Sequence, residues 1–217
     1  MAKSREFAAP PGTVEIWIQR RLARLKLCLE NALASDRRFA SAGAAAIVAP
    51  MDISAIDAPL RLHSTAIRPE WIDYNGHMNV AYYVLAFDHA TDAFFDFLGL
   101  TDAYRRDNNA STFALEAHVN YLRELHEGDA VRIETQLLDH DHRRMHFFHS
   151  MIHDSEGHLA ATSEWINTHV DMTTRRSADF FAPVEERLAA VLKAHAHLDP
   201  PDNKGRVIGI RRRKRNS

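Results

Sequence analysis

Asp73-Tyr74-Asn75-Gly76-His77-Met78-Asn79 runs directly into Val80-Ala81-Tyr82-Tyr83-Val84-Leu85-Ala86-Phe87, and this junction decides the fold. The first seven residues put a carboxylate, a glycine and two hydrogen-bonding side chains in front of an apolar run, and Gly76 lets the chain turn sharply or approach a ligand closely. Asn79 stands where a helix N-cap is wanted. Beyond it, Val80, Tyr83, Val84, Phe87, Thr91, Phe94 and Leu98 recur at helical spacing and predict a buried side. Asp88, Asp92 and Asp96 form a narrow polar stripe opposite, and Gly99 supplies a C-terminal stop. About 20 residues at ~1.5 Å each give a rod near 30 Å long. A helix that is apolar over most of its circumference must be wrapped by something.

The wrapping is legible on either side. Leu60 to Ile67 alternates as a first strand, which Pro69 ends. Four more β-like segments follow the helix: Ser111 to Leu122, Ala130 to Leu138, Met145 to His153 and Leu159 to Val170. The short turns between them predict an antiparallel sheet. In the first of the four, strict alternation puts Phe113, Leu115, Ala117, Val119 and Tyr121 on one face and Glu116, His118 and Asn120 on the other. A second helix, Val184 to His197, starts after Pro183 and covers a flank or end of the sheet. One long helix followed by an antiparallel meander is α+β.

The 217 residues divide into an extension over 1–59, a core domain over 60–182, a C-terminal helix over 183–198 and a basic tail over 199–217. In the extension, Val14, Ile18, Leu22, Leu25 and Leu29 repeat at helical spacing among Arg20, Arg21, Arg24 and Lys26, a basic amphipathic helix that an Ala-rich linker (residues 40–49) follows. Such a helix suits a presequence, a membrane surface, a partner or simply a loosely packed extension. The formal net charge of −2 conceals an asymmetry: seven of the 27 Lys and Arg residues lie at Lys204 and beyond, and no acid follows Asp202. The remainder carries about −9, which argues against a nucleic-acid binder. The tail reads as a solvated end, with contact to substrate phosphates the alternative. Cys28 is the single cysteine, so an intrachain disulfide framework and a thiolate metal site are excluded and a reducing, cytoplasmic setting is expected. No apolar run approaches the ~20 residues of a membrane span. Five of the 14 histidines (His140, His142, His146, His149, His153) crowd one turn and strand, but without HExxH or cysteine companions they predict no metal site. With no G-x-S-x-G, P-loop or G-x-G-x-x-G run, serine hydrolase, nucleoside triphosphatase and dinucleotide chemistries fall away, and no cofactor is expected.

The chemistry concentrates at the junction. A carboxylate such as Asp73, ionised at neutral pH, is able to attack a carbonyl carbon or deprotonate water, or else serves as an N-terminal charge for the helix. The amides just after Asn79, at Val80 and Ala81, are unpaired within the helix and available to an oxyanion. One such donor is typically worth ~3 to 4 kcal/mol of barrier. His77 holds Asp73 or a water, or bonds within the turn.

The run Asp73-x-x-Gly76-His77-x-Asn79, with Tyr83 a turn further on, resembles the signature of hotdog-fold acyl-CoA thioesterases of the 4-hydroxybenzoyl-CoA thioesterase type. Leu115-Glu116-Ala117-His118-Val119-Asn120-Tyr121-Leu122, Glu134 to Leu138 and Arg144-Met145-His146-Phe147-Phe148-His149 are similar to phrases of the betainyl-CoA thioesterases of carnitine breakdown. The resemblance covers roughly Leu60 to Val170. It implies a central helix sheathed by a curved sheet, edge-to-edge homodimers or dimers of dimers, and sites between subunits that take an acyl-CoA. Asp73 would be the family's base or nucleophile, and Gly76, His77 and Asn79 would shape the loop around it. Glu116 and His118 would arrive from the partner as further acid–base candidates. For the trimethylammonium group of betainyl-CoA, an aromatic cage is expected from Trp71, Tyr74, Phe113, Tyr121 and Trp165, with Trp71 and Tyr74 best placed; Val80, Ala81 and Tyr83 complete the expected substrate contacts. A thioesterase for another short-chain or aromatic acyl-CoA, and a non-catalytic acyl-CoA-binding module, stay open as alternatives.

Overall fold

The computed structural model describes residues 56–210. The amphipathic helix expected near residues 14–29, the Ala-rich linker and the basic run from Arg211 lie outside the described residues. In chain order the elements are β1 (Leu60–Ala66), a 3-10 turn (Pro69–Trp71), α1 (Val80–Leu98), α2 (Asp102–Asn108), β2 (Ala110–Tyr121), β3 (Ala130–His140), β4 (Arg144–His153), β5 (Leu159–Asp171), β6 (Arg176–Ser177) and α3 (Ala182–His195). The strands form one antiparallel sheet in the order β1-β3-β4-β5-β2, with the short β6 paired to β5. This is the hotdog arrangement, α+β, with α1 against one face of the sheet.

α1 begins and ends where local chemistry dictates. Asn79 caps it, and Gly99 closes it in the left-handed region at φ 88°. Its buried side comprises Tyr83, Ala86, Phe87, Ala90, Thr91, Phe94, Phe95 and Leu98. Opposite them, β3 and β4 present Val131, Ile133, Leu137, Met145, Phe147 and Met151, all completely or almost completely buried. Burial of one such large side chain contributes about 1.5–3 kcal/mol, so this seam dominates the stability. Val80 and Val84, expected on the buried side, are 57% and 37% exposed. They share an i, i+4 row with Asp88 and Asp92, so the helix turns that row away from the core.

The C-terminal helix packs Val184, Leu188 and Val191 against Phe94, Phe95, Leu98 and Leu137, closing the end of the sheet. α2, which the sequence reading passes over, is a seven-residue helix capped by Thr101. Among the described residues no helix is long and apolar enough to cross a membrane.

β2 holds the main surprise. Its register against β5 slips between Ala114 and Glu116, so Leu115 is an extra residue in a bulge. Ala117, Val119 and Tyr121 pair with Trp165, Ser163 and Ala161, and those in turn with Phe147, His149 and Met151 on the α1 side. Before the bulge the α1 side is taken by Ala114, opposite Asn167, which pairs with Met145. Phe113 therefore lies on the outer face, under the Arg175 guanidinium 5.2 Å from its ring centroid, and not with Ala117 and Tyr121 as strict alternation predicts.

Candidate active site

Residues 71–79 form a miniature hairpin. Ile72 bridges Met78, the Asp73 N–H donates to the His77 carbonyl at 3.0 Å, and the Asn79 N–H donates to the Trp71 carbonyl at 2.9 Å. The turn closes with the Gly76 N–H on the Asp73 carbonyl at 3.0 Å. Gly76 sits at φ 84°, where an L side chain is strained, although a Cβ there would meet nothing within 4 Å. The hairpin is held to the body by the Met78 N–H on the Leu125 carbonyl at 2.7 Å. At its tip Asp73 Oδ1 accepts from the Asn75 N–H at 2.7 Å, leaving Oδ2 without a protein partner among the described residues. One carboxylate oxygen is thus anchored and the other is free. His77 is half-buried, its Nε2 3.7 Å from Glu124 Oε1; it shapes the turn through its carbonyl and does not bond the Asp73 carboxylate.

The helix start differs from expectation in one respect. Asn79 Oδ1 accepts the Ala81 N–H at 3.0 Å, so that amide is already satisfied and is not a free oxyanion donor. The Tyr82 N–H bonds the Asn79 carbonyl at 3.0 Å. The Val80 N–H has no partner among the described residues, and its residue is exposed. Tyr121 closes the other wall, its hydroxyl 3.4 Å from the Val80 carbonyl. Tyr83 is buried beneath, edge-on to Tyr121 at 5.3 Å, with its hydroxyl on the Arg123 carbonyl at 3.4 Å. Tyr83 is 3% exposed and packs in the core of this chain, away from the surface contact expected of it, and burial pushes its phenol up to about 12.

Most of the expected aromatic cage disperses. Trp71 is 3% exposed and stacked on Tyr82 at 5.6 Å, so it belongs to the core. Tyr74, at 96% exposure, stands on the turn with no wall around it. Phe113 is on the outer face. Glu116 and His118 also point to the outer face, where they line a cleft of about 530 Å³ with His146, Glu164 and Ile166. The Gly205 N–H donates to Glu164 Oε2 at 2.7 Å and lays the following residues along that cleft, while His146 Nε2 meets Glu164 Oε1 at 2.8 Å. The sheet separates this cleft from α1, so neither Glu116 nor His118 joins Asp73 within the chain. His149, by contrast, is completely buried between Thr91 and Thr135 at 3.0 and 2.9 Å. Thr91 gives its one hydroxyl proton to the Phe87 carbonyl, so His149 Nε2 carries a proton and donates to the Thr91 oxygen, while burial depresses the pKa to about 3 and keeps the ring neutral, with Thr135 donating to Nδ1. Among the described residues no three His, Cys, Asp or Glu side chains gather as a metal site would require.

A feature the sequence reading passes over lies on the α1 side. A pocket of about 280 Å³ opens between α1 and the β2–β5 pair, lined by Asp88, Thr91, Asp92, Phe95, Arg105, Thr112, Ala114, Trp165 and Asn167 among others. Partial burial, and then Asp88, raise the Asp92 carboxyl above its ordinary range although it still reaches solvent. The signal was present in the sequence as acids spaced by four along an apolar helix.

A hairpin that carries a carboxylate into the start of a sheet-sheathed helix is the frame in which the comparisons with known proteins are set. Residues 67–189 match the thioesterase-like superfamily, and the chain belongs to that family; its reaction is the hydrolysis of an acyl-CoA thioester. Among its relatives is the betainyl-CoA thioesterase of Pseudomonas aeruginosa, 42% identical over 70% of this chain and 95% of the relative. The L-carnitine dehydrogenase/betainyl-CoA thioesterase of Rhizobium meliloti is 37% identical over 71% of this chain, which spans only 31% of that longer protein. A hypothetical protein of Staphylococcus aureus, solved in complex with CoA, superposes with a TM-score of 0.68 at 29% identity, over 71% of this chain and 98% of that one.

Proposed function

We propose that this protein hydrolyses betainyl-CoA, releasing glycine betaine and CoA, in a site shared by two copies of the chain. The free Asp73 oxygen takes a proton from water as the hydroxide adds to the carbonyl carbon, or attacks that carbon itself to give a mixed anhydride that water then cleaves; in either route the C–S bond breaks and the thiolate leaves, taking up a proton as CoA. The Val80 N–H, at the positive end of α1, stabilises the tetrahedral oxyanion. The substrate reading is supported by the similarity to a betainyl-CoA thioesterase over nearly the whole of that relative. The role of Asp73 rests on one observation: a carboxylate anchored through a single oxygen, on the hairpin that leads into a helix start whose Val80 amide has no partner among the described residues.

Two copies are inferred from β2. Its outer edge is unpaired, and Ala114 to Ala117 are all exposed, Leu115 at 58%. An edge of twelve residues carrying an exposed leucine is a template for a second strand. If two β2 strands pair antiparallel about a twofold axis centred on Ala114–Ala117, Tyr121 of one copy faces Ala110 of the other. Since Tyr121 touches Val80, the start of the partner subunit's α1 then comes beside the Ala110–Thr112 end of this chain's β2.

The test is thiol release from betainyl-CoA by the Asp73→Asn variant, which keeps the turn's hydrogen bond but not the base. Turnover should fall by ~10² or more. Wild-type rates in that variant would remove Asp73 from the reaction.

A further inference from the structure

The pocket between α1 and β2 pairs acidic side chains with aromatic ones. Two carboxylates, Asp88 and Asp92, stand one turn apart on its helix wall. Phe95 and Trp165 supply ring faces, and Ala114 and Thr112 leave the floor low. Arg105, the one basic residue in the lining, is committed to Asp102 and to the Leu100 carbonyl at 3.1 Å. Asn167 lines the pocket from β5 with 4% of its surface exposed, and its buried Oδ1 has no hydrogen-bond partner; the Trp165 Nε1 is likewise unpaired. An orphaned acceptor at such depth costs free energy unless something positive lies against it. At about 280 Å³ the pocket has room for a compact head such as a trimethylammonium group.

We propose that Asp88, Asp92, Phe95, Trp165 and Asn167 form the subsite that receives the quaternary ammonium head of the acyl group. This rests on the betainyl-CoA reading and deepens it. A trimethylammonium ion brings no N–H, so it is recognised by ring faces, carboxylates and carbonyl dipoles, which is the set assembled here. The subsite also explains why two copies are needed. Val80 and Asp88 are eight positions apart, about 12 Å along the helix axis. The betainyl group spans only about 4 Å from carbonyl carbon to outermost methyl, on ordinary bond lengths. One chain therefore cannot hold the cation here and present its own Asp73 to the same carbonyl, whereas the twofold pairing of β2 brings the partner subunit's Asp73 hairpin to this end of the pocket.

The experiment compares betainyl-CoA with 3,3-dimethylbutyryl-CoA, which has the same shape with carbon in place of the charged nitrogen. Thiol release gives kcat/KM for each substrate in the wild type, in Asp88→Asn/Asp92→Asn and in Trp165→Leu, with thermal melting as a check of folding. The wild type should prefer the cationic thioester, and the double variant should lower that preference at least tenfold; Trp165→Leu should lower it in the same direction. A preference unchanged in well-folded variants overturns the subsite while leaving the substrate reading intact. So does an equal loss on both thioesters. A wild type that hydrolyses the neutral thioester and ignores the cationic one overturns both readings.

Discussion

Gly76→Ala is the substitution in which the hairpin's role can be separated from its contribution to folding. Gly76 holds φ 84°, and the added methyl would touch nothing within 4 Å, so the whole cost is backbone strain of ~1–2 kcal/mol. For a domain of this size that lowers Tm by roughly 2–8 °C. Gly128 is a matched control: it sits at φ 86°, is equally open, and occupies the turn before β3. Gly128→Ala should therefore cost the same stability. The kinetic consequences should differ, because the Gly76 N–H closes the turn on the Asp73 carbonyl at 3.0 Å and any relief of strain there re-aims the carboxylate. A displacement near 1 Å at a reacting group is worth up to ~10²-fold, so kcat/KM should drop 10- to 10²-fold in Gly76→Ala and stay near wild type in Gly128→Ala. Gly76→Asn, which accepts the left-handed region more readily, should recover part of both losses. Scanning calorimetry and thiol release on the three variants give the answer. Equal turnover in Gly76→Ala and Gly128→Ala, at equal loss of Tm, would refute the claim that the hairpin's geometry aims the base.

Two further outcomes follow from the core and from the open strand edge. His149 is neutral in the folded protein with a pKa of about 3, while the unfolded chain takes up its proton near pH 6.5, so this group leaves stability untouched above that pH and subtracts from it as the pH falls through the window. Urea melts should show a slope of up to ~1.4 kcal/mol per pH unit below pH 6.5, and His149→Gln, though less stable at pH 7, should lose that share of the slope. Leu115→Lys puts charge on the exposed apolar residue of the unpaired edge; sedimentation should show the mass of one chain and thiol release should vanish, whereas an intact dimer with full activity would reject pairing through β2.

Much of this fold could be read from residues with a strong local reason to be where they are. Asn79 and Gly99 bracket α1 because a cap and a left-handed stop are chemically determined, and the helix runs from Val80 to Leu98 as its spacing predicts. The antiparallel meander follows from short turns. What could not be read depended on tertiary pairing. Val80 and Val84 are apolar and correctly spaced for burial, yet they lie on the row that continues into Asp88 and Asp92, and none of the described residues covers it. Trp71 and Tyr74 are adjacent to the motif in sequence, but a hairpin turns one into the core and the other into solvent. Ala81 looks free until the Asn79 side chain is seen to bend back onto its amide.

The bulge at Leu115 is where a local irregularity becomes a functional one. With unbroken alternation, Phe113 and Leu115 would face α1 and their bulk would stand opposite Asp88 and Asp92. The extra residue transposes the strand, so Ala114 takes that face opposite Asn167 and Phe113 passes to the outside beneath Arg175. Space is cleared beside the acidic row without any loss of packing further along, since Ala117, Val119 and Tyr121 regain the α1 side after the bulge. The same insertion kinks an edge strand that would otherwise be long and flat. A sheet that merely sheathed its helix would have no use for such a defect. A sheet that must also hold a small polar head against that helix gains from it a pocket whose walls are carboxylates and whose floor is a methyl group, and the acids spaced by four along α1 cease to be the helix's solvent face and become part of its chemistry.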